Sequence, residues 1–160
     1  MHQLSTCLQR ITLESWTIKD CFRHELEMMQ HLSSLQALEL RGGNLSPSDS
    51  TLPMTTACCH DIARLTTLTK LAIDFRGKAE IQPELLGSLS QLRIVRLRGA
   101  MIDDFTIPGA WHCVQELNLN GNRLTRIPFG IARLTGLKRL YLQEQEADLQ
   151  MYITRTTLNR

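Results

Sequence analysis

A chain of 160 residues that is 42% hydrophobic but only 5% aromatic has material for one continuous core, built of Leu and Ile rather than rings. Eighteen Lys and Arg stand against 16 Asp and Glu, and a net charge of +2 is too small for a dedicated nucleic-acid or anionic-membrane binder. No run of about 18 apolar residues occurs, so no membrane span is expected.

Residues 1–10 lack a basic start followed by an apolar run, so no secretory signal is expected. The five cysteines (Cys7, Cys21, Cys58, Cys59 and Cys113) are odd in number and scattered. That pattern points to reduced thiols in the cytosol rather than to a disulfide framework.

Aliphatic residues recur in short units that start at Leu8, Leu35, Leu68, Leu92, Val114 and Leu137, with separations of 27, 33, 24, 22 and 23 residues. The first unit places Leu8, Ile11 and Leu13 at its apolar positions. Behind it Phe22, Leu26, Met29 and Leu32 recur at helical spacing, which predicts a helix over about 19–31. The second unit runs through Leu35, Leu38 and Leu40 to Leu45. A polar stretch with Pro47 and Pro53 then reads as a loop, and a helix capped by Thr55 or Thr56 runs to Arg64, burying Cys58, Ile62 and Leu65. The long second interval is thereby explained as an insertion over about 46–66.

The third unit, Leu68, Leu71 and Ile73, is followed by Arg76 and Lys78 at the positions that Asn122 and Leu124 hold in the fifth, so an irregular turn is expected. The fourth, Leu92, Val95, Leu97 and Ile102, passes through Pro108 and Trp111 with little room for a helix. The fifth is the most regular: Val114, Leu117, Leu119, Asn122 and Leu124, then Ile127 and Pro128. The sixth has Leu137, Leu140 and Leu142. Beyond it Leu149, Met151 and Ile153 alternate with polar residues, which predicts a terminal strand or degenerate cap over 148–160.

Read from Val114 to Leu124, the fifth unit is LxxLxLxxNxL, and this resembles the leucine-rich repeat. The half from Ile127 to Leu137 is similar to the intracellular, Ras-related class, and the stretch after Lys78 to the plant-type variant. The resemblance covers roughly Leu8 to Ala147 and implies an α/β solenoid in a single domain spanning residues 1–160. Its curved parallel β-sheet lines the concave face, with short helices and loops on the convex face. In this family the asparagine hydrogen-bonds backbone groups at the turn out of the strand. The corresponding column here is Trp16, Gly43, Arg76, Ala100, Asn122 and Gln145, so Asn122 is expected to have no counterpart.

Each unit can bury its leucines only by stacking on its neighbours, and residues between the leucines then face outward on the concave side. One outward column reads Thr12, Glu39, Ala72, Arg96, Asn118 and Tyr141; the next reads Glu14, Arg41, Asp74, Arg98, Asn120 and Gln143. Arg93, Arg96 and Arg98 fall on the fourth strand and Lys70 on the third, with Phe75 and Tyr141 nearby. The expected partner-binding set is Arg41, Lys70, Asp74, Phe75, Arg93, Arg96, Arg98, Asn118, Asn120 and Tyr141, centred on a basic patch. Against this stands the possibility that Asp74, Glu116 and Glu144 pair with the arginines and leave only a solvated surface.

Cys58, Cys59, His60 and Asp61 are metal-ligand types in a row, but adjacent side chains diverge and no second pair matches them. Asp103 and Asp104 lie at a loop edge, where acids are normally solvated, and Trp111 is expected to pack on the convex side. No catalytic motif is recognisable. The expectation is a non-enzymatic, cytoplasmic protein-interaction module without cofactor or metal. It would bind a protein rather than nucleic acid, membrane or a small molecule. The alternative is a detached ligand-sensing or substrate-recognition portion of a larger protein, such as an intracellular immune receptor or a ubiquitin-ligase adaptor.

Overall fold

A computed structural model describes residues 8–16, 31–42, 56–74 and 81–145. The expected helix over 19–31, the loop after Leu45, the turn at Arg76–Lys78, and the terminal strand or cap lie outside the described residues. Six strands, β1 (Arg10–Trp16), β2 (Ala37–Gly42), β3 (Lys70–Asp74), β4 (Ile94–Arg98), β5 (Glu116–Asn118) and β6 (Arg139–Tyr141), form one sheet in chain order. Every pairing is parallel.

The register follows the leucine pattern: Ile11, Leu38, Leu71, Val95, Leu117 and Leu140 stand opposite one another across the sheet. A single device sets it. The carbonyl of the residue after each unit's first apolar position accepts two successive N–H groups of the next unit. Gln9 accepts from Gln36 and Ala37, Gln36 from Thr69 and Lys70, and Thr69 from Arg93 and Ile94. Arg93 accepts from Gln115 and Glu116, and Gln115 from Lys138 and Arg139, all five pairs at 2.7–3.1 Å.

Behind the sheet, Leu35, Leu68, Leu92, Val114, Leu71, Ile73, Val95, Leu97, Leu117 and Leu119 are fully buried. The opposite side is closed by helix α1 (Thr56–Ala63) and by three short 3-10 turns, Pro83–Leu86, Trp111–Cys113 and Ile131–Arg133. Helix α1 lies within the span that the apolar spacing predicts and buries Cys58, Cys59 and Ile62. Trp111 is fully buried away from the concave face, and its indole N–H donates to the Leu86 carbonyl at 3.2 Å, tying two units together.

Asn122 is fully buried and saturates four backbone groups. Its Nδ2 donates to the carbonyls of Leu97 and Leu119 at 2.8 and 2.7 Å, and its Oδ1 accepts from the N–H groups of Ala100 and Ile102 at 3.0 and 3.1 Å. Contrary to expectation, Gln145 does the same work one unit on. Its Nε2 donates to the Leu119 carbonyl at 2.9 Å and its Oε1 accepts from the Leu124 N–H at 3.1 Å. One extra methylene does not stop the amide from reaching the same groups. Asp104 forms a further clamp, accepting from the N–H groups of Thr125 and Arg126 and from the Thr125 hydroxyl. It is thus engaged by the next unit rather than simply solvated.

Removing the Asn122 amide strands buried donors and acceptors, each worth about 1–3 kcal/mol. Asn122→Ala is expected to lower unfolding free energy by about 3 kcal/mol and Gln145→Ala by about 1 kcal/mol, since Gln145 is part-exposed. Urea titration followed by circular dichroism measures both; equal losses would contradict this ranking.

Candidate interaction site on the concave face

Alternation along the strands brings two outward columns together. Thr12, Glu39, Ala72, Arg96, Asn118 and Tyr141 are register partners in turn, as are Arg41, Asp74 and Arg98. Residues from β2 to β6 line a hollow of about 380 Å³ over this face. Six of the expected residues line it: Arg41, Asp74, Arg96, Arg98, Asn118 and Tyr141. Lys70 begins β3 next to it, and Asn120 lies just past β5, where its side-chain oxygen accepts from the Gln143 N–H at 2.8 Å. Arg93 precedes β4 by one residue, at the parity of the buried Val95 and Leu97, and does not line the hollow. Phe75 lies outside the described residues.

The face is of mixed charge rather than basic. Two carboxylates are buried in it, Glu39 at 6% and Glu116 at 3% exposure. Glu39 accepts from Lys70 Nζ and, at 3.1 Å, from Arg41 Nη2. Glu116 accepts from Arg96 Nε at 2.6 Å and from Arg139 Nε at 2.8 Å. Desolvation of a carboxylate is tolerable only when such partners neutralise it. Glu39 was visible in the sequence as a column member, but its role as an anchor was missed. Lys70 and Arg41, one strand and two residues away, were the signal.

The hydrogen bond from Lys70 holds the Glu39 carboxyl below the ordinary glutamate range, against burial and with help from Arg41. Arg96 does the same for Glu116, again against burial, with Arg139 adding to it. For Asp104, burial is outweighed by the bonds from Thr125 and Arg126, and its pKa is also lowered.

A second kind of pair sits above these. Arg98 Nη2 reaches Glu144 at 3.1 Å across the intervening β5, and both side chains are well exposed, at 41% and 64%. Glu144 has φ +57°, at the unit position that Gly99 (φ +61°) and Gly121 (φ +68°) occupy in the two preceding units. Asp74 is the exception on this face: its Oδ1 is buried and has no hydrogen-bond partner among the described residues.

The Cys58–Asp61 run does not converge. Cys58 and Cys59 are buried, His60 is exposed, and no group of three or more metal-ligating side chains occurs among the described residues. Burial raises the Cys59 thiol pKa, the reverse of what a nucleophile requires. No helix among the described residues is long and apolar enough to cross a membrane.

No family model matches the sequence, and no curated protein matches it. Solved structures do. A leucine-rich-repeat protein of Leptospira interrogans superposes with a TM-score of 0.61 at 23% identity, over 88% of this chain and 32% of that one. An internalin of Listeria monocytogenes superposes with a TM-score of 0.54 at 20% identity, over 76% of this chain and 33% of that one. The chain has the leucine-rich-repeat fold, and it spans about a third of the length of these two structures. At these identities the likeness establishes the fold alone.

Groups with lowered pKa values stabilise the fold above the carboxylate range and lose that contribution as pH falls through their folded pKa. Stability is therefore expected to drop as pH goes from about 5 downward. Glu116→Gln should flatten that decline and remove about 1–2 kcal/mol at neutral pH, its arginines being free to solvate. Thermal melts across pH measure it; an unchanged slope in the variant would deny Glu116 the role.

Proposed function

We propose that this chain is a non-enzymatic protein-interaction module that binds a protein partner across its concave face. The observation that carries this reading is the hollow itself, lined by side chains from five consecutive strands held in one register. A rigid sheet presents those side chains at little entropic cost on binding. Arginine and tyrosine, the residue types enriched where binding energy concentrates, lie within it as Arg41, Arg96, Arg98 and Tyr141.

The buried, high-pKa thiol of Cys59 supports a role other than catalysis. The free thiols Cys58, Cys59 and Cys113 fit a reducing compartment such as the cytosol.

The Arg96→Glu/Arg98→Glu double variant should abolish partner capture in affinity pull-down while still melting cooperatively, at a lower temperature because Glu116 loses one of its two arginines. Arg133→Glu, in a 3-10 turn away from the sheet, should capture as wild type does. Unchanged capture by the double variant, or loss with Arg133→Glu, would overturn the concave-face reading.

A further inference from the structure

Arg96 engages Glu116 through Nε alone, so its two terminal nitrogens make no hydrogen bond among the described residues. The buried Glu116 carboxylate holds that guanidinium in place and leaves its outer edge, on a side chain 45% exposed, toward the hollow. Arg98, two residues along the same strand face, is bonded among the described residues through Nη2 only, to the exposed Glu144. The hollow thus has a fixed donor edge on Arg96 beside an arginine that already holds a carboxylate.

How that carboxylate gets there is informative. Where the two preceding units turn through Gly99 and Gly121, the sixth turns through Glu144 in the same left-handed conformation, which disfavours any residue with a Cβ. The exposed pair it makes is screened by solvent and holds weakly. A residue unsuited to its backbone therefore holds Arg98 by a bond that an incoming group can replace.

Resting on the concave-face reading, we propose that the hollow takes an acidic side chain, Asp or Glu in an extended segment of the partner, on Arg98 and Arg96. Glu144 is the surrogate that this side chain displaces. Charge complementarity favours this occupant. Among the described residues, Lys70, Arg96, Arg98, Arg139 and the already paired Arg41 face Glu39, Asp74, Glu116 and Glu144, and releasing Glu144 frees Arg98 for an incoming carboxylate. The contrary feature is Asp74, whose bare oxygen would suit a lysine or arginine instead.

The test uses the full chain and short fluorescent peptides that alternate serine with Glu, Lys or Gln, read by anisotropy. The Glu peptide should bind, more weakly as salt rises. Arg98→Gln should weaken it about tenfold, the loss expected for a charge-assisted bond. Glu144→Gln should tighten it roughly threefold without changing the melt. Glu144→Gly should tighten it equally and raise the melting temperature as well, because glycine relieves the backbone. Asp74→Asn should tighten it further by removing a like charge.

Failure of the Glu peptide to bind, or binding indifferent to Arg98 and Glu144, would overturn the acidic assignment. Binding of the Lys peptide that is lost in Asp74→Asn would replace it with a basic occupant and leave the concave-face reading standing. Peptide binding lost in Arg133→Gln but kept in every concave variant would overturn both.

Discussion

One carbonyl oxygen per unit, accepting two N–H groups from the next, is the contact on which the rest of this structure depends. A single hydrogen bond would let neighbouring strands pivot; a shared acceptor fixes both the position and the direction of the incoming chain. Because side chains alternate along a strand, a slip of one residue would turn every leucine out of the core. The carbonyl pairs oppose that slip from the backbone while the buried apolar columns oppose it from the side chains. Everything on the concave face inherits its placement from this agreement.

Electrostatics then limits what the face can offer. Lys70, Arg41, Arg96 and Arg139 are tied to two buried carboxylates, so much of the apparent positive charge is spent internally. The same ties fix the guanidinium planes, and an oriented arginine loses less entropy on binding than a free one. In the proposed concave-face reading, stability and recognition are coupled through Glu39 and Glu116, since the cations that neutralise these carboxylates are held in place by them.

The leucine period alone located all six strands, and alternation alone gave the outward columns that backbone geometry dictates. The first column is paired in full, the second only at Arg41, Asp74 and Arg98, because β1 shifts register after Leu13 and β5 and β6 end before Asn120 and Gln143. What spacing does not report is reach. Gln145 performs the asparagine's task with a longer arm, and Glu39 gathers Lys70 and Arg41 from positions no repeat pattern links. Arg93 shows the opposite failure, since grouping it with Arg96 and Arg98 by residue type set aside the parity that separates them. The left-handed backbone of Glu144 was legible in part, since the repeat aligns it with Gly99 and Gly121, but a glutamate at that position gives no sign of keeping the glycine conformation.

The strands shorten along the stack, from seven residues in β1 to three in β5 and β6, and all three residues of β6 are exposed, with Leu140 at 37%. In a linear array each unit's hold depends on its immediate neighbours, so this taper becomes a gradient of local unfolding free energy. Among the described residues β2 to β5 each lie between two strands, whereas β6 is paired on one side only. The Arg98–Glu144 tie reaches over β5 and joins an inner strand to the turn after β6.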